Sequence, residues 1–475
     1  MPYIEKVKGQ YKSGIDVSPL ALDGGLNLYG NIFNIAPNET QDCLNVKEEP
    51  EGTLTLFKYP KTLITIGMQV LALGVREGKQ IHVLCYTPSK VEWRYADVTA
   101  STITWTTIKN DLPALSVNAT FLDFQTDTAF YTVLATDLYV YAWDGTTVTE
   151  LTGAPNTHRY CVDDYRLYAL KDNLIHMTEL GSFTWLSSTI PLTGARGPSR
   201  AIAACNDKVY CFTNQTCHIL YGNSGNDYEL SEIIDSGCIG QKAVMVKDRE
   251  VYFLNINGLY KFKDGKSENL SKKINLKLNY YDGYSLASIQ NDIYIKYYYK
   301  PSIVQSQSKR KLYIYKEDEN KWFYAEIDSD SVVIPNMVKS YNDRLGERLF
   351  DAYSPSPYAN ASLRMITHND TDTTTPWHYV TPMTFQGFNK QVISTIPVLY
   401  YLPTDSNMKL YYNIDSESES WTEIHTFTNT TTAKIVEINI PLNALNNVEF
   451  YNLKFSGTGD FKIYYIGTDG RVKQR

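Results

Sequence analysis

Short apolar runs separated by polar turns dominate the chain, and one such unit returns at a fixed interval. In "KDREVYFLNINGLYKF" (247–262) a polar turn, an apolar run, a Gly turn and a second aromatic run spell a β-hairpin. "DYRLYAL", "NDKVYCF", "DREVYFL" and "QNDIYIKY" place Tyr168, Tyr210, Tyr252 and Tyr294, each 42 residues after the last and each following Leu, Val or Ile. The partner strand keeps step, because His176, His218 and Tyr260 are also 42 apart. A period of about 40–50 residues with several strands per unit predicts β-propeller blades. "KVYCF" and "EVYFL" are apolar at consecutive positions, as expected of strands covered on both faces. Tyr suits such a place because its ring buries a large area while its hydroxyl keeps a polar partner. The four tyrosines are therefore repeat-core positions, a folding device and not chemistry.

The same reading divides the chain. Residues 1–60 are rich in Gly, Pro and Asn without periodicity and read as an extended N-terminal arm ending in one alternating strand, "GTLTLF". Residues 61–370 read as the propeller, with six clear blades and a seventh suggested by "ERLFDAYSP" and "ASLRMI" near 347–366. The sixth unit is stretched by "YKPSIVQSQSKRK" (299–311), a polar, basic insertion at a hairpin tip. A Thr/Asp-rich linker, "THNDTDTTTPWH" (367–378), precedes a region where the period breaks. From about 380 six alternating strands, among them "VISTIPVLYYL" and "DFKIYYIG", fit an antiparallel β-sandwich-like domain over 371–475; a final, ring-closing blade is the other reading. The expected fold class is all-β.

Composition narrows the function. Tyr is frequent (38) and helical periodicity is absent, and 45 basic against 52 acidic residues give a net charge of −7, so no whole-chain attraction to nucleic acid or anionic membrane is implied. There is no apolar leader in "MPYIEKVKGQYKSGID" and no 18-residue apolar run, so the expectation is a chain made in the cytoplasm without membrane insertion. Seven cysteines without regular spacing fit free buried thiols; Cys211 and Cys217 in "CFTNQTC" read as strand residues, not zinc ligands. Asn-x-Ser/Thr sites such as Asn118 and Asn429 then read as surface loops.

Catalytic signals are poor, and no enzyme, cofactor or metal site is expected. HExxH, GxSxG, P-loop and CxxC patterns are absent. The histidines, including His82, His158 and His378, are scattered, and His176 and His218 occupy equivalent strand positions. Propellers host glycosidases, which need paired carboxylates; Asp163 and Asp164 instead sit where a turn is expected. "DSESESW" resembles the Asp-box of sialidases, but Asp415 is one residue too far from Trp421.

Longer segments carry a family resemblance. "GGLNLYGNIFNIAPNETQDCLNV…GTLTLFKYP" resembles the opening of many tailed-bacteriophage virion proteins through Gly25, Leu26, Asn27, Pro37, Glu39, Asn45, Val46, Gly52 and Pro60. The stretch 218–274 is similar to the same proteins in its Gly237-Cys238-Ile239 turn, "VYFL" strand, "Gly-Leu-Tyr" and "Leu-Ser-x-x-Ile". The usual Arg-Pro-Gly appears here as Tyr59-Pro60-Lys61. The resemblance, over roughly 20–280, is to the tail-nozzle and packaged-DNA-stabilisation propellers of short-tailed phages. It implies a virion tail protein assembled in the host cytoplasm as a ring, usually of six copies, below the head-to-tail adaptor. Such a ring retains packaged DNA and forms part of its exit channel. A distal-tail or receptor-binding propeller is the alternative, and a propeller glycosidase a further one. A channel wall should not grip phosphates, and the low net basicity suits that. Lys309, Arg310 and Lys311 form the one basic cluster that could touch passing double-stranded DNA; the plainer reading is a solvated hairpin tip.

Overall fold

The computed structural model describes residues 16–472 except 21, 23, 29–34, 37, 50–51, 114–117, 223–226, 235, 264, 275, 277, 279–282, 299–309, 329–336, 343–345, 354–360, 369, 386–390, 415–419, 431–434 and 442–449. Among these residues the only helical element is one 3-10 turn, Gln241–Ala243; the rest is strand, turn and loop. The chain divides into two compact units, one of residues 59–320 and 326–369, the other of 1–58, 321–325 and 370–475.

The first unit is built from antiparallel four-stranded sheets in the pattern of β-propeller blades, all but the last a meander of consecutive strands. Their first strands are Gln69–Arg76, Ala119–Gln125, Tyr160–Asp163, Ser199–Ala204, Val244–Lys247, Gly283–Ile289 and Met337–Asn342, which we number sheets 1 to 7. Each first strand touches the first strand of the next sheet, and that of sheet 7 touches that of sheet 1. The circuit is closed by chain exchange. The outer strand of sheet 7 is Lys61–Thr65, from upstream of sheet 1, paired through Leu363↔Ile64 and Arg364↔Thr62.

Burial grades outward. In sheet 1 the second strand, Gln80–Thr87, is buried at six consecutive positions, whereas the fourth, Thr106–Lys109, has no buried residue. Strands sandwiched between neighbouring sheets therefore read as unbroken apolar runs, and the short, polar outer strands blunt the edges. The two-residue hairpins Asp164-Tyr165, Asn206-Asp207 and Asp248-Arg249 have positive φ at both residues, the conformation that suits the twist of flanking strands. Asp164 is thus a turn residue, while Asp163 ends the strand before it, opposite Arg166.

The repeat tyrosines coincide in register. Tyr168, Tyr210, Tyr252 and Tyr294 are each the third residue of the second strand of their sheets. The first three also face the following sheet: Tyr168 joins a cluster with Val209, Cys211 and Leu220, the Tyr210 ring lies 5.7 Å from that of Phe262, and the Tyr252 hydroxyl donates to Glu317. Cys211 and Cys217 are buried strand residues, and all seven cysteines are free thiols.

The second unit holds two six-stranded antiparallel sheets. One contains Val46–Glu48, Leu54–Leu56, Lys462–Val472, Gln391–Tyr401, Val436–Pro441 and Asp16–Leu20; the other contains Cys43–Leu44, Pro376–Val380, Phe450–Thr458, Asn407–Asn413, Thr422–Thr426 and Thr384–Phe385. The described strands of residues 16–58, read from sequence as an arm, are members of these sheets. Trp377 stacks on Phe461 at 3.6 Å and Tyr400 meets Phe427 edge-on at 4.9 Å, with Ile396, Val398, Leu410, Leu453 and Ile463 fully buried. The residues of the opening motif do specific work here. Gly25 has φ +69, and a Cβ on it would stand 3.0 Å from Lys321 Cβ. Glu39 accepts from Asn27 Nδ2 at 2.7 Å and from the Ala36 amide at 3.1 Å. Asn45, at φ 52 and fully buried, donates to the Pro376 carbonyl at 2.8 Å.

Candidate functional site: a cationic cavity on the ring axis

The innermost strand of each sheet has one edge with no neighbouring strand, so its N–H and C=O groups need other partners. The 3-10 turn after "GCIG" supplies some of them. Its approach is fixed by the Cys238 amide donating to Thr213 O (3.0 Å) and the Ile239 amide to Leu254 O (3.1 Å). The Gln241 side chain then acts as a stand-in peptide group. Its Oε1 accepts from the Ile202 amide and its Nε2 donates to the Ile202 carbonyl, both at 2.9 Å, with a longer bond to Tyr160 O at 3.4 Å. Lys242 Nζ donates to Leu71 O at 2.8 Å. Leu71 belongs to sheet 1 and Lys242 leads into sheet 5, so the lysine spans the centre of the circuit.

Around these side chains lies a cavity of about 240 Å³. It is lined by Asn118, His158, Arg159, Arg200, Gln241, Lys242 and Tyr284, with backbone from Ile239, Gly240, Ala243 and Gly283. Asn118, Arg159, Arg200 and Gln241 are each 41 residues after the last, so the repeat itself delivers one polar side chain per sheet to the same end of the ring. Burial pushes the Lys242 amine down to about 7. Burial also depresses Arg159, and Arg200 adds to it; its Nε has no hydrogen-bond partner, while Nη1 donates to Thr157 Oγ1 at 3.3 Å. The acid at the rim, Asp137, is engaged by His158 Nδ1 at 2.7 Å, the His158 amide at 3.1 Å and Asn118 Nδ2 at 3.3 Å. Burial opposes ionisation of Asp137, but these bonds outweigh it and hold its pKa low.

A second charged group sits between sheets 5 and 6. Glu317 pairs with Lys247 at 2.8 Å and Lys261 at 2.6 Å, accepts from Tyr252, and is held at about 2 because those bonds outweigh the opposing effect of burial. This group is an interlock, not a reaction centre. Glu317→Gln should lower stability by about 1–3 kcal/mol, because two mostly buried ammonium groups lose their shared acceptor. A urea titration giving an unchanged midpoint would refute that assignment.

Lys309 is outside the described residues, as is Asp415; Arg310 and Lys311 open the third strand of sheet 6, opposite Tyr298 and Tyr297. Sequence reasoning missed Arg159, Arg200, Gln241 and Lys242, although the 41-residue spacing of the first three was legible. His176 and His218 are equivalent, pairing with Ala169 and Cys211, the residues after the repeat tyrosines. Among the described residues no group of three His, Cys, Asp or Glu could hold a metal ion, and no helix is long and apolar enough to cross a membrane.

No family model and no curated protein matches the chain. Solved structures share parts of its architecture. Hsv2 of Kluyveromyces lactis is 10% identical over 64% of this chain and 99% of its own, with a TM-score of 0.37. PorZ of the Porphyromonas gingivalis type-IX secretion system is 8% identical over 69% of this chain and 44% of its own, with a TM-score of 0.40. A chain of the S. cerevisiae assembly of Dbp5 with Nup159 and Gle1 is 14% identical over 54% and 74%, with a TM-score of 0.34. Likenesses this distant say nothing of activity or partners.

Proposed function

We propose that this chain is a non-enzymatic structural protein of a bacteriophage tail. In this reading the seven sheets are the blades of one propeller, and the two six-stranded sheets form an appended sandwich. Copies of the chain assemble into a ring, most simply of six, beneath the head-to-tail adaptor, where the ring retains packaged DNA and lines part of its exit path. The observation that carries the reading is where the resemblance residues fall. Gly25, Asn27, Glu39 and Asn45 occupy positions that favour those residues, through positive φ or partly buried hydrogen bonds. Further along, Gly258 has φ +127 beside Ser271, whose Oγ accepts from the Leu259 amide at 3.0 Å. The motif thus encodes a particular scaffold, and a chance match of polar residues would not satisfy it. Because Gln241 and Lys242 cross the propeller's own axis, the DNA path in this reading runs through the ring of subunits and not through the propeller centre.

Native mass spectrometry of the purified chain, with cryo-electron microscopy of particles carrying it, tests the proposal. The expected result is a closed ring next to the portal. A chain that stays monomeric at all concentrations and decorates the tail tip would overturn it in favour of a receptor-binding role.

A further inference from the structure

We propose that Lys242 is a modification site, whose amine takes up carbon dioxide reversibly and carries it as a carbamate on the ring axis. The geometry singles this lysine out. Its Nζ donates to the Leu71 carbonyl at 2.8 Å, a neutral acceptor, and among the described residues no carboxylate pairs with it. It opens into the same cavity as His158, Arg159 and Arg200, while the rim carboxylate Asp137 is engaged by His158 and Asn118. Partial desolvation beside guanidinium groups favours the uncharged amine. Burial, which pushes Lys242 down to about 7, works in the same direction.

Only a free amine attacks carbon dioxide, and desolvation or a neighbouring cation is what activates a lysine as a nucleophile. An ordinary lysine is neutral in roughly one molecule in a thousand at pH 7, whereas Lys242 is neutral about half of the time. The Nζ lone pair forms a bond to the carbon of carbon dioxide, one C=O π pair moves onto oxygen, and Nζ releases one proton to water. No oxidant or reductant is needed. The product keeps one N–H, enough to hold the Leu71 carbonyl, and gains one negative charge. Arg159 Nε, buried and without a hydrogen-bond partner, is a donor suited to the new oxyanion. A half-open cavity of about 240 Å³ admits carbon dioxide, which is small, linear and uncharged. Arg159 stands ahead of sheet 3 and Lys242 ahead of sheet 5, so the carbamate would join two links of the circuit.

Chemical trapping of the full chain tests this. The protein is equilibrated with carbon-13 bicarbonate at neutral pH, alkylated with a trialkyloxonium salt and mapped by peptide mass spectrometry; carbon-13 nuclear magnetic resonance follows the carbamate without trapping. One labelled group per chain is expected on Lys242, and none on the exposed Lys263 and Lys266 of sheet 5. Lys242→Arg should abolish the label and the resonance. Arg159→Met should lower occupancy at limiting bicarbonate about tenfold, the loss of one charge-assisted bond, and Lys266→Gln should leave it unchanged. Far-ultraviolet circular dichroism checks that each variant folds, and the measurement on the parent chain decides without any variant. Absence of both label and resonance, a label spread evenly over exposed lysines, or undiminished occupancy in a folded Arg159→Met would overturn the proposal.

Discussion

Asp351→Ala should destabilise the first unit by about 3–5 kcal/mol, the usual cost of stranding buried charge. Asp351 is fully buried in the second strand of sheet 7. Its Oδ2 meets Lys296 Nζ of sheet 6 at 2.6 Å and Arg364 Nη2 at 2.6 Å, while Oδ1 meets Arg364 Nε at 3.0 Å. Arg364 in turn lies 4.4 Å over the Tyr353 ring, and its strand pairs with the ring-closing segment Lys61–Thr65. Removing the carboxylate leaves two buried cations facing each other at the seam where the circuit shuts. Burial opposes ionisation of Asp351, yet Arg364 and Lys296 outweigh it and hold the carboxyl at about 2. A folded value below the ordinary carboxylate value means that this stabilisation is complete above pH of about 4 and fades as pH falls toward 2. The control is a triple replacement of Lys296, Asp351 and Arg364 by apolar residues of similar size, which should recover much of the loss. Urea unfolding, followed by hydrogen exchange in sheets 6 and 7, reads the effect. An Asp351→Ala midpoint within error of the parent would show that the triad is dispensable.

The location of that triad also shows what a sequence reader could and could not see. Tyr168, Tyr210 and Tyr252 were legible because a repeat copies the same side-chain position into successive sheets, and periodicity survives without knowledge of contacts. Arg159, Arg200 and Gln241 obeyed a second period of 41, hidden because polar residues at or just before the start of a strand read as ordinary turn formers. Lys296, Asp351 and Arg364 obey no period. Asp351 and Arg364 face each other on adjacent strands, but their meeting with Lys296 depends on sheet 7 standing beside sheet 6, a non-local fact. The segment 16–58 misled for a related reason. Its strands are two to five residues long; Val46–Glu48 pairs locally with Leu54–Leu56, but the other three pair more than 300 positions away, such as Cys43 with Tyr379 and Leu54 with Ile463, so little local alternation is required of them.

His82 gives the second large effect, and its sign follows from burial. The ring is fully enclosed by Trp93, Tyr95, Phe121 and Trp143, at centroid distances of 5.9, 5.8, 6.0 and 5.3 Å. Trp93 Nε1 donates to His82 Nδ1 at 3.0 Å, which assigns the proton of the neutral ring to Nε2. Burial, with Arg76 nearby, pushes the imidazole from 6.5 down to about 3. Arg76 is itself held by carbonyls of Phe130, Trp143 and Asp144. Between these two pH values the unfolded chain binds a proton that the folded chain refuses, so stability falls as pH drops below 6.5. The slope approaches about 1.4 kcal/mol per pH unit. The whole-protein curve hides this. Asp123, buried next to Glu77 and Arg76, and Asp163, buried with Asp207 and Asp164 beside it, are both raised to about 6 and act in the opposite sense as acid is added. The difference between the parent and His82→Asn isolates the histidine, because the carboxylates contribute equally to both. Asn keeps an acceptor for Trp93 and cannot titrate. His82→Asn should be the less stable protein at pH 7, through lost packing, and should regain about 3 kcal/mol relative to the parent by pH 4.5. Paired urea midpoints across that range measure it. Parallel curves for the two proteins would mean that His82 accepts its proton in the folded state and that its enclosure is incomplete.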